Sequence, residues 1–384
     1  MHILWTLLLA GAAILWIVSI VEMTLGLRSM PSLEDAAPLA DSECPTVSVL
    51  FAARDEAANL PGSLASVLAL DYPRYEVVGV DDRSQDATGA ILESFARADA
   101  RLKVVRVDSL PSGWLGKPHA LYQAYEHSSG EWLVFTDADV HFAPGLLRRV
   151  LRVADDNGWE HMTLLGAPKM FTAGEKIALT FFGVALMAAT RPWSAMDPLS
   201  GGYAGVGAFQ LIRRSAYEKM GTHRRLAMEV IDDMKLGKLA KLAGVRSGVA
   251  KAGRAVSVHW HAGVANMIRG TTKNFFATSR FKLRITALHV FGLLVMCVLP
   301  AVSLPFVHGS ARVLAAIAAG VPLVIAGAVA REFKISPAWA FTYPLGALIF
   351  VWMLTRSAIV TLWRGGIVWR GTFYPLEELK RGLV

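Results

Sequence analysis

The stretch that decides the fold is "VSVLFAARDEAANLPGSLASVLALDYPRYEVVGVDD", Val47 to Asp82. It begins with an apolar run, continues with a helical pattern over about Asn59 to Leu70, and returns to an apolar run at "YEVVGVDD". The same alternation follows, with a helix over about Ala87 to Ala98, a strand "LKVVRVD", a helix from about Lys117 and the strand "EWLVFTDAD". Strands and helices in turn predict a largely parallel sheet covered on both faces.

Pairs of acidic residues end three of these predicted strands. They are Asp55 with Glu56, Asp81 with Asp82, and Asp137 with Asp139. One such pair alone is readily explained as the cap of the next helix. Three pairs favour a binding site, because ligands of open α/β sheets bind beyond the carboxyl ends of the strands. No glycine-rich phosphate loop follows the first strand, which argues against a dinucleotide or P-loop site.

Asp137 and Asp139 would project to the same side if the strand geometry continued through them. Two carboxylates so close repel each other, and each raises the pKa of the other unless a cation lies between them. Mg²⁺ or Mn²⁺, bound by one or two carboxylates and by substrate phosphate oxygens, would relieve this repulsion. By itself, however, a D-x-D pattern is weak evidence for a metal site.

The chain is too apolar for an ordinary soluble protein, with a mean hydropathy of +0.41. The excess lies in an uncharged run from Ile3 to Val21 and in the last quarter, from about Leu288. We expect a retained N-terminal anchor in residues 1–25, because a signal peptide would have a basic start and a shorter apolar core. About three further spans are expected in residues 286–363, followed by a basic tail, 364–384.

The net charge of +8 and the pI of about 9.5 suit a surface held against anionic lipid, or an anionic substrate. No nucleic-acid module accompanies the charge, so we expect no nucleic-acid partner. The positive-inside rule predicts a multi-pass membrane protein with its charged domain in the cytoplasm. Three C-terminal spans would put the basic tail outside, so their parity stays open. Cys44 and Cys297 are too few for a disulfide framework or a metal cluster.

Several motifs together resemble the inverting family 2 glycosyltransferases: "VSVLFAARDEAANL", "VVGVDDRSQDATGAIL", "GWLGKPHALYQA", "WLVFTDADVHFAPGLL", "GVGAFQLIRRSAYEKMG" and "EVIDDMKLGKLAKLAG". The branch most similar is that of membrane-anchored bacterial enzymes that glycosylate hopanoids, carotenoids or ceramide. The likeness runs from about Pro45 to Phe276. It implies an α/β fold with a GT-A-like, Rossmann-type nucleotide-sugar domain at 45–262, joined through an interfacial amphipathic segment at 263–285 to transmembrane helices.

This resemblance implies a donor site for a UDP-sugar. Asp81 or its neighbour Asp82 would bind the uracil, and which of the two does so stays open. Ala53 and Glu56 match positions that line the nucleoside pocket. Lys117 matches a basic residue near the nucleotide, and the alternative is a solvated lysine at the start of a helix.

The resemblance also implies the catalytic groups. Asp137 would face the ribose and diphosphate and share the metal, Mg²⁺ or Mn²⁺, with Asp139 as the main ligand. In "EVIDDMKLG", Asp233 stands at the family's catalytic Asp, with Asp232 as the second choice. Inversion needs a base for the attacking hydroxyl, which a positioned carboxylate supplies. The alternative is that both acids simply favour the start of a helix.

The sequence departs from the family where its Q/R-x-x-R-W motif is expected. The chain reads "MIRGTTKNFFA" there, which leaves Arg269 and Lys273 as candidate diphosphate contacts. The missing tryptophan argues against a processive polymer synthase. His259 and His261, on one face of an expected strand, are interpreted as structural or as orienting an active-site group. The loop glycines, Gly201, Gly202, Gly205 and Gly207, either admit substrate or are ordinary loop residues.

The sequence therefore predicts an enzyme that transfers one sugar from a UDP-sugar to a membrane lipid at the cytoplasmic face, with inversion. The alternatives within the same fold are a polyprenyl-phosphate glycosyltransferase and a processive polysaccharide synthase. A non-catalytic membrane protein that binds nucleotide sugars is the alternative from another class. Neither the sugar nor the lipid acceptor can be read from the sequence.

Overall fold

The computed structural model describes residues 2–384, except for the side chains of His2 and Leu4. Two compact units divide the chain. The first comprises the residues up to Ser29, Pro168–Arg191 and Trp260–Trp369, and the second comprises Met30–Ala167, Pro192–His259 and Arg370–Val384. The stretch 45–262, which we expected to form one domain, therefore contributes to both units.

The strands and helices are labelled in chain order. The strands β1 to β10 span Val47–Ala53, Tyr75–Asp82, Leu102–Val107, Trp132–Asp137, His141–Phe142, His161–Pro168, Gln210–Arg213, Ser247–Val258, Gly366–Trp369 and Thr372–Pro375. The helices α1 to α15 span His2–Ser29, Leu60–Leu68, Thr88–Ala98, Gly116–Glu126, Leu146–Asp156, Ala173–Thr190, Arg214–Lys219, Asp232–Leu242, Val264–Thr271, Phe275–Thr278, Leu283–Leu293, Leu299–Ser303, Gly309–Glu332, Tyr343–Arg364 and Leu376–Arg381. The order of strands and helices expected from Val47 to Asp137 is confirmed.

The second unit is built on a mixed sheet with the strand order β3-β2-β1-β4-β7-β6-β8-β5. β1 pairs in parallel with β2 and β4, and β2 pairs in parallel with β3. Antiparallel pairs complete the description, with β7 beside β4, β6 beside β7 and β5 beside β8. The carboxyl ends of β1, β2 and β4 therefore lie side by side at one edge of the sheet, which confirms the expected α/β fold class.

Both faces of the parallel part are buried, because each strand is an almost continuous apolar run whose side chains point to the two faces in turn. Val49 and Phe51 of β1 pack with α2 and α5, and Leu50 between them packs on the opposite face with α4 and α8. The same alternation shows to which face of the sheet each acid at a strand end belongs. By it, Asp81 belongs to the α2 and α3 face, whereas Asp82 and Asp137 belong to the α4 face.

The first unit contains most of the long apolar helices. Five helical stretches of the described residues are long and apolar enough to cross a membrane: Trp5–Ser29, Ala173–Met196, Leu283–Ser303, Gly309–Glu332 and Pro337–Arg364. The stretch beginning at Ala173 was missed by the sequence analysis, which placed it inside the catalytic domain. Small residues bring α1 and α13 close, with Ala12 and Ala13 packed on Ala318.

Three local features add to or differ from the expectations. The expected interfacial segment 263–285 contains α9, α10 and the start of α11. His259 and His261 follow the end of β8 at Val258 and are not in a strand. The end of the chain is not merely a basic tail, since the α15 residues Leu376 and Leu379 are buried in the second unit.

Candidate active site

The predicted acids meet at the carboxyl ends of β2 and β4 and at the start of α8, all within the second unit. A small pocket there is lined by Lys117, Leu121, Phe135, Thr136, Asp137, Gly207, Gln210, His223, Asp232, Asp233 and Leu236. Its polar side chains come from five separate parts of the chain. The tertiary structure therefore brings together residues that the sequence motifs could only suggest in isolation.

Lys117 forms the electrostatic centre of this pocket. Its Nζ lies 2.5 Å from Asp137 Oδ1 and 3.7 Å from Asp232 Oδ2. Burial alone would lower the pKa of the ammonium group, but Asp137, Asp232 and Asp233 together raise it. The lysine therefore stays charged and offsets part of the negative charge of the aspartates around it. A solvated lysine at a helix start does not describe these contacts.

Asp233 is held by backbone groups rather than by a cation. Its Oδ2 accepts a hydrogen bond from the Gly207 N–H at 3.0 Å, and its Oδ1 accepts one from the Met234 N–H at 2.8 Å. The side chain is half-buried, whereas that of Asp232 is buried beside Lys117. Both acids occupy the first turn of α8, where the helix dipole favours negative charge. Asp233 is therefore the more accessible of the two carboxylates.

A chain of hydrogen bonds missed by the sequence analysis fixes the backbone of Asp233. Gln210 Nε2 donates to the Asp233 carbonyl at 3.1 Å, and Gln210 Oε1 lies 3.1 Å from Nε2 of His161. Burial lowers the pKa of His161 to about 4, so its ring is neutral near pH 7 and can donate through Nε2. Gln210 lies at the start of β7 in the glycine-rich motif, which was the available signal. No sequence signal pointed to His161.

Two of the loop glycines are required by the acids beside them. A Cβ on Gly205 would lie 2.0 Å from the Asp233 carbonyl oxygen, and one on Gly207 would lie 2.7 Å from Asp137 Oδ2. A Cβ on Gly201 would meet nothing within 4 Å. Gly205 and Gly207 therefore let this loop approach the aspartates, while Gly201 behaves as an ordinary loop glycine.

Asp139 lies in a turn just past β4, so the strand geometry does not continue from Asp137 to Asp139. The two carboxylates are nevertheless neighbours. Burial, Asp137 and Glu56 raise the pKa of Asp139 to about 7. No group of three or more His, Cys, Asp or Glu side chains in residues 2–384 is arranged to hold a metal ion by itself. Any divalent ion here would need additional oxygen ligands.

The two acids at the end of β2 point to different partners, and both are buried. Asp82 makes a two-pronged ion pair with Arg83, at 2.8 and 3.0 Å. Asp81 Oδ1 accepts a hydrogen bond from the Ser84 N–H at 3.2 Å. Arg83 has a positive φ of 58°, which is rare for a residue with a side chain and often marks a functional loop.

Ala53 is buried at the end of β1, and Glu56 follows in the next loop. Glu56 donates its backbone N–H to Thr88 Oγ1 at 2.8 Å, and its carboxylate forms an ion pair with Arg370. Arg370 belongs to the C-terminal segment of the same unit and was missed by the sequence analysis. The nearby "WRGTFYP", with its mixture of basic and aromatic residues, was the available signal.

Arg269 and Lys273 lie in the first unit, on and just after α9. Arg269 donates to Asn266 Oδ1, and the Lys273 ammonium lies 3.8 Å from the centroid of the Trp369 ring and 2.8 Å from Asn274 Oδ1. A tryptophan therefore does contact the lysine in this part of the chain, although it comes from β9 rather than from the neighbouring position. His261, also in this unit, stacks against Trp260 with ring centroids 5.3 Å apart.

The architecture is that of the GT-A glycosyltransferases. A mannosyltransferase from Pyrobaculum calidifontis, solved with GDP-Man and Mn²⁺, matches 93% of this chain and 99% of its own with a TM-score of 0.54 and 22% sequence identity. At that identity the likeness concerns the fold alone. Residues 48–163 match the model of the family "Glycosyl transferase family 2". This match confirms that the chain resembles the family 2 glycosyltransferases over these residues.

Two curated relatives extend the comparison. A beta-monoglucosyldiacylglycerol synthase from Synechocystis is 33% identical over 162 residues, which are 38% of this chain and 33% of the relative. A 4,4'-diaponeurosporenoate glycosyltransferase from Staphylococcus haemolyticus is 25% identical over 232 residues, 60% of each protein. The aligned part thus spans a third of the first relative and three fifths of the second.

Proposed function

We propose that the protein transfers a single sugar from a UDP-sugar to a membrane lipid, with inversion at the anomeric carbon. The observation that carries this proposal is the convergence of Asp137, Asp139, Asp232 and Asp233 at one end of the sheet of a family 2 domain. A nucleotide-sugar transferase needs acids for a metal and a base for the acceptor, and both kinds of acid are present.

Asp233 is the proposed general base. The acceptor hydroxyl attacks the anomeric carbon from the side opposite the diphosphate, and Asp233 takes its proton. The bond from the new oxygen to the sugar forms as the bond to the diphosphate breaks, so UDP leaves with the bonding electron pair. The hydrogen bond from Gly207 and the bond from Gln210 to the backbone support this role, because they fix the carboxylate at the pocket.

Asp139 and Asp137 are the proposed ligands of Mg²⁺ or Mn²⁺. The raised pKa of Asp139 fits this role, because a cation would remove the repulsion from Asp137 and Glu56. Two carboxylates with diphosphate oxygens completing the shell also fit the ligand preference of Mg²⁺. When bound, the metal would neutralise negative charge on the departing diphosphate.

The nucleoside is proposed to bind between the ends of β1 and β2, where Ala53, Glu56, Asp81 and Asp82 lie. Of the two β2 acids, Asp82 shares the face of Asp137, whereas Asp81 belongs to the opposite face, beside α3. Asp82 is therefore our first choice for the uracil. Arg269 and Lys273 remain candidate diphosphate contacts.

The lipid acceptor is inferred from the relatives and from the apolar helices. Both relatives have names that denote a glycosylated lipid, diacylglycerol in one and a carotenoid acid in the other. Several helices of this chain are apolar enough for a membrane. We propose that the protein lies in the bacterial inner membrane with its second unit on the cytoplasmic side, as the basic residues favour.

The three stretches of chain that form the second unit constrain the number of membrane crossings. The chain should cross the membrane an even number of times between one stretch and the next. Residues 30–167, 192–259 and 370–384 form one compact unit, and such a unit lies on one side of a membrane. The chain must therefore return to that side after residues 168–191 and after 260–369. On this basis α6 does not cross, and one of the three C-terminal candidates does not cross fully. Fluorescent-protein fusions at Val384 should then fold in the cytoplasm, whereas dark fusions there would contradict the proposal.

The decisive test of the function uses membranes that contain the protein, labelled UDP-sugars and GDP-mannose, Mg²⁺ or Mn²⁺, and mass analysis of extracted lipids. We expect one lipid whose mass increases by one sugar with a UDP-sugar. A long polymer would favour a processive synthase, and a product on polyprenyl phosphate would favour that alternative. Full cellular function of Asp139→Ala would favour the non-catalytic protein.

A further inference from the structure

Arg54, directly after β1, is a charged residue with too few partners. Its side chain is only 15% exposed. Its one hydrogen bond among the described residues is a long one, 3.4 Å from Nη1 to Thr372 Oγ1, and its ion pair to Asp55 spans 4.0 Å. Nε is buried and has no hydrogen-bond partner in residues 2–384. A guanidinium has five N–H donors, and burying them without acceptors is unfavourable.

The other cations at these strand ends already have their acids. Arg83 binds Asp82 through two hydrogen bonds, and Arg370 binds Glu56. Lys117 is held between Asp137 and Asp232, so its charge is already balanced within the protein. Arg54 differs from these three cations because no carboxylate lies within normal hydrogen-bond distance of it.

The C-terminal segment Arg370–Tyr374 encloses Arg54 within the second unit. Thr372 contacts the guanidinium directly, and Tyr374 accepts a hydrogen bond at its hydroxyl from the Gly116 N–H at 3.2 Å. Gly116 in turn lies against the ion pair of Asp82, because a Cβ there would be 2.5 Å from Asp82 Oδ2. This segment therefore forms a wall beside the strand ends, with Arg54 between the wall and the sheet.

We propose that Arg54 binds oxygen atoms of the nucleoside diphosphate, and that Arg370–Tyr374 forms the wall that holds its guanidinium for this contact. The inference rests on the proposed function, and adds to it a binding residue and a role for the C-terminal segment. The ligand would supply the hydrogen-bond acceptors that Arg54 lacks within the protein. Hydrogen bonds between a guanidinium and an anion are among the strongest in proteins.

The experiment uses the full-length protein in detergent, with UDP and uridine as probes in the presence of Mg²⁺. Arg54→Met removes the charge and keeps an apolar side chain of similar length. We expect the Kd for UDP to rise roughly 10- to 100-fold in Arg54→Met, and by a smaller factor in Thr372→Val. Arg97→Met, an exposed arginine on α3, is the matched control and should leave the Kd unchanged.

Thermal unfolding separates a binding role from a structural one. Removing a buried charge without close partners should leave the melting temperature of the ligand-free protein unchanged or raise it. The increase in melting temperature that UDP produces should be lost in Arg54→Met, because that increase depends on the Kd. A lower ligand-free melting temperature together with an unchanged Kd for UDP would make Arg54 structural and overturn the inference.

The two probes distinguish the possible oxygen atoms. A loss of affinity for UDP but not for uridine assigns Arg54 to the diphosphate, and an equal loss for both assigns it to the nucleoside. If the wild-type protein does not bind UDP, the proposed donor itself is wrong. If wild type binds UDP and Arg54→Met binds it equally well, only the inference about Arg54 fails.

Discussion

Two groups of charges at the same edge of the sheet are built in opposite ways. Around Lys117, beside α4 and α8, one ammonium is surrounded by three aspartates. Around Arg54, at the end of β1, a guanidinium lies near a wall of the C-terminal segment with only long contacts. The first cation has carboxylates as close partners within the protein, whereas the second has none, and we propose that a ligand supplies its acceptors. The difference suggests that the Lys117 group fixes catalytic acids in place, whereas the Arg54 group contributes to binding.

The largest effect is expected from removing the proposed base, Asp233, in the Lys117 group. Asp233→Asn should lower kcat by roughly 10²- to 10⁴-fold with little change in KM, because the acceptor proton has no carboxylate to go to. Asp232→Asn should cost less, since that carboxylate is already engaged with Lys117. Steady-state rates with the lipid acceptor measure both. An equal loss of kcat in the two variants would contradict the assignment of Asp233, rather than Asp232, as the base.

The second effect is on stability. Lys117→Met leaves three aspartates close together without their cation, and we expect a loss of about 2 to 3 kcal/mol in the free energy of unfolding. The matched control is Lys103→Met, which removes a surface lysine paired with Glu76 and should cost below about 1 kcal/mol. Denaturant titration of the full-length protein in detergent compares them. Similar losses in both variants would show that Lys117 stabilises the aspartates around it no more than a surface lysine stabilises its partner.

A third test displaces the acids without changing any charge. Gly205→Ala puts a Cβ 2.0 Å from the Asp233 carbonyl oxygen, so the loop or α8 must shift, at an expected cost of about 1 to 3 kcal/mol and a lower kcat. Gly201→Ala has open space around the new methyl group and should leave both quantities unchanged. Melting temperatures and rates of the two variants provide the comparison. Normal activity in Gly205→Ala would contradict the close approach of this loop.

The smallest effect concerns Asp139, which neighbours acids of both regions. Its pKa is about 7 in the folded protein and about 3.9 in an unfolded chain. Between these values the unfolded state binds fewer protons, so the stability of the metal-free protein falls as the pH rises. Asp139→Asn removes this penalty and should stabilise the metal-free protein by about 1 to 2 kcal/mol at pH 8, with little effect at pH 4.

Thermal unfolding in EDTA at the two pH values measures this difference. The exposed Asp108→Asn is the control and should show no such pH dependence. Mn²⁺ should stabilise wild type more at pH 8 than at pH 5, because the ligand must be deprotonated. A stabilisation of Asp139→Asn that is the same at both pH values would contradict the raised pKa.

The sequence alone determined the order of strands and helices, the apolar termini, and the acids at three strand ends. Apolar periodicity and turn residues are local properties, so they can be read without the fold. It also showed a resemblance to a known family, because several motifs occur together. It missed the apolar helix at Ala173–Met196 and did not predict the separate helices α9 to α11, because an apolar or basic composition is compatible with several arrangements.

Only the tertiary structure decided which of these residues are neighbours. The hydrogen bonds that fix Asp233 come from Gly207 and Gln210, and the pocket beside it is also lined by Lys117 from a distant part of the chain. The sequence recognised Lys117 as basic but gave no reason to place it between aspartates. Likewise, nothing near Arg54 in sequence shows that a segment more than 300 residues later, at Thr372, encloses it. Whether a charged side chain has a partner depends on distances in space. For that reason only the fold shows that Lys117 has carboxylates close to it, whereas Arg54 does not.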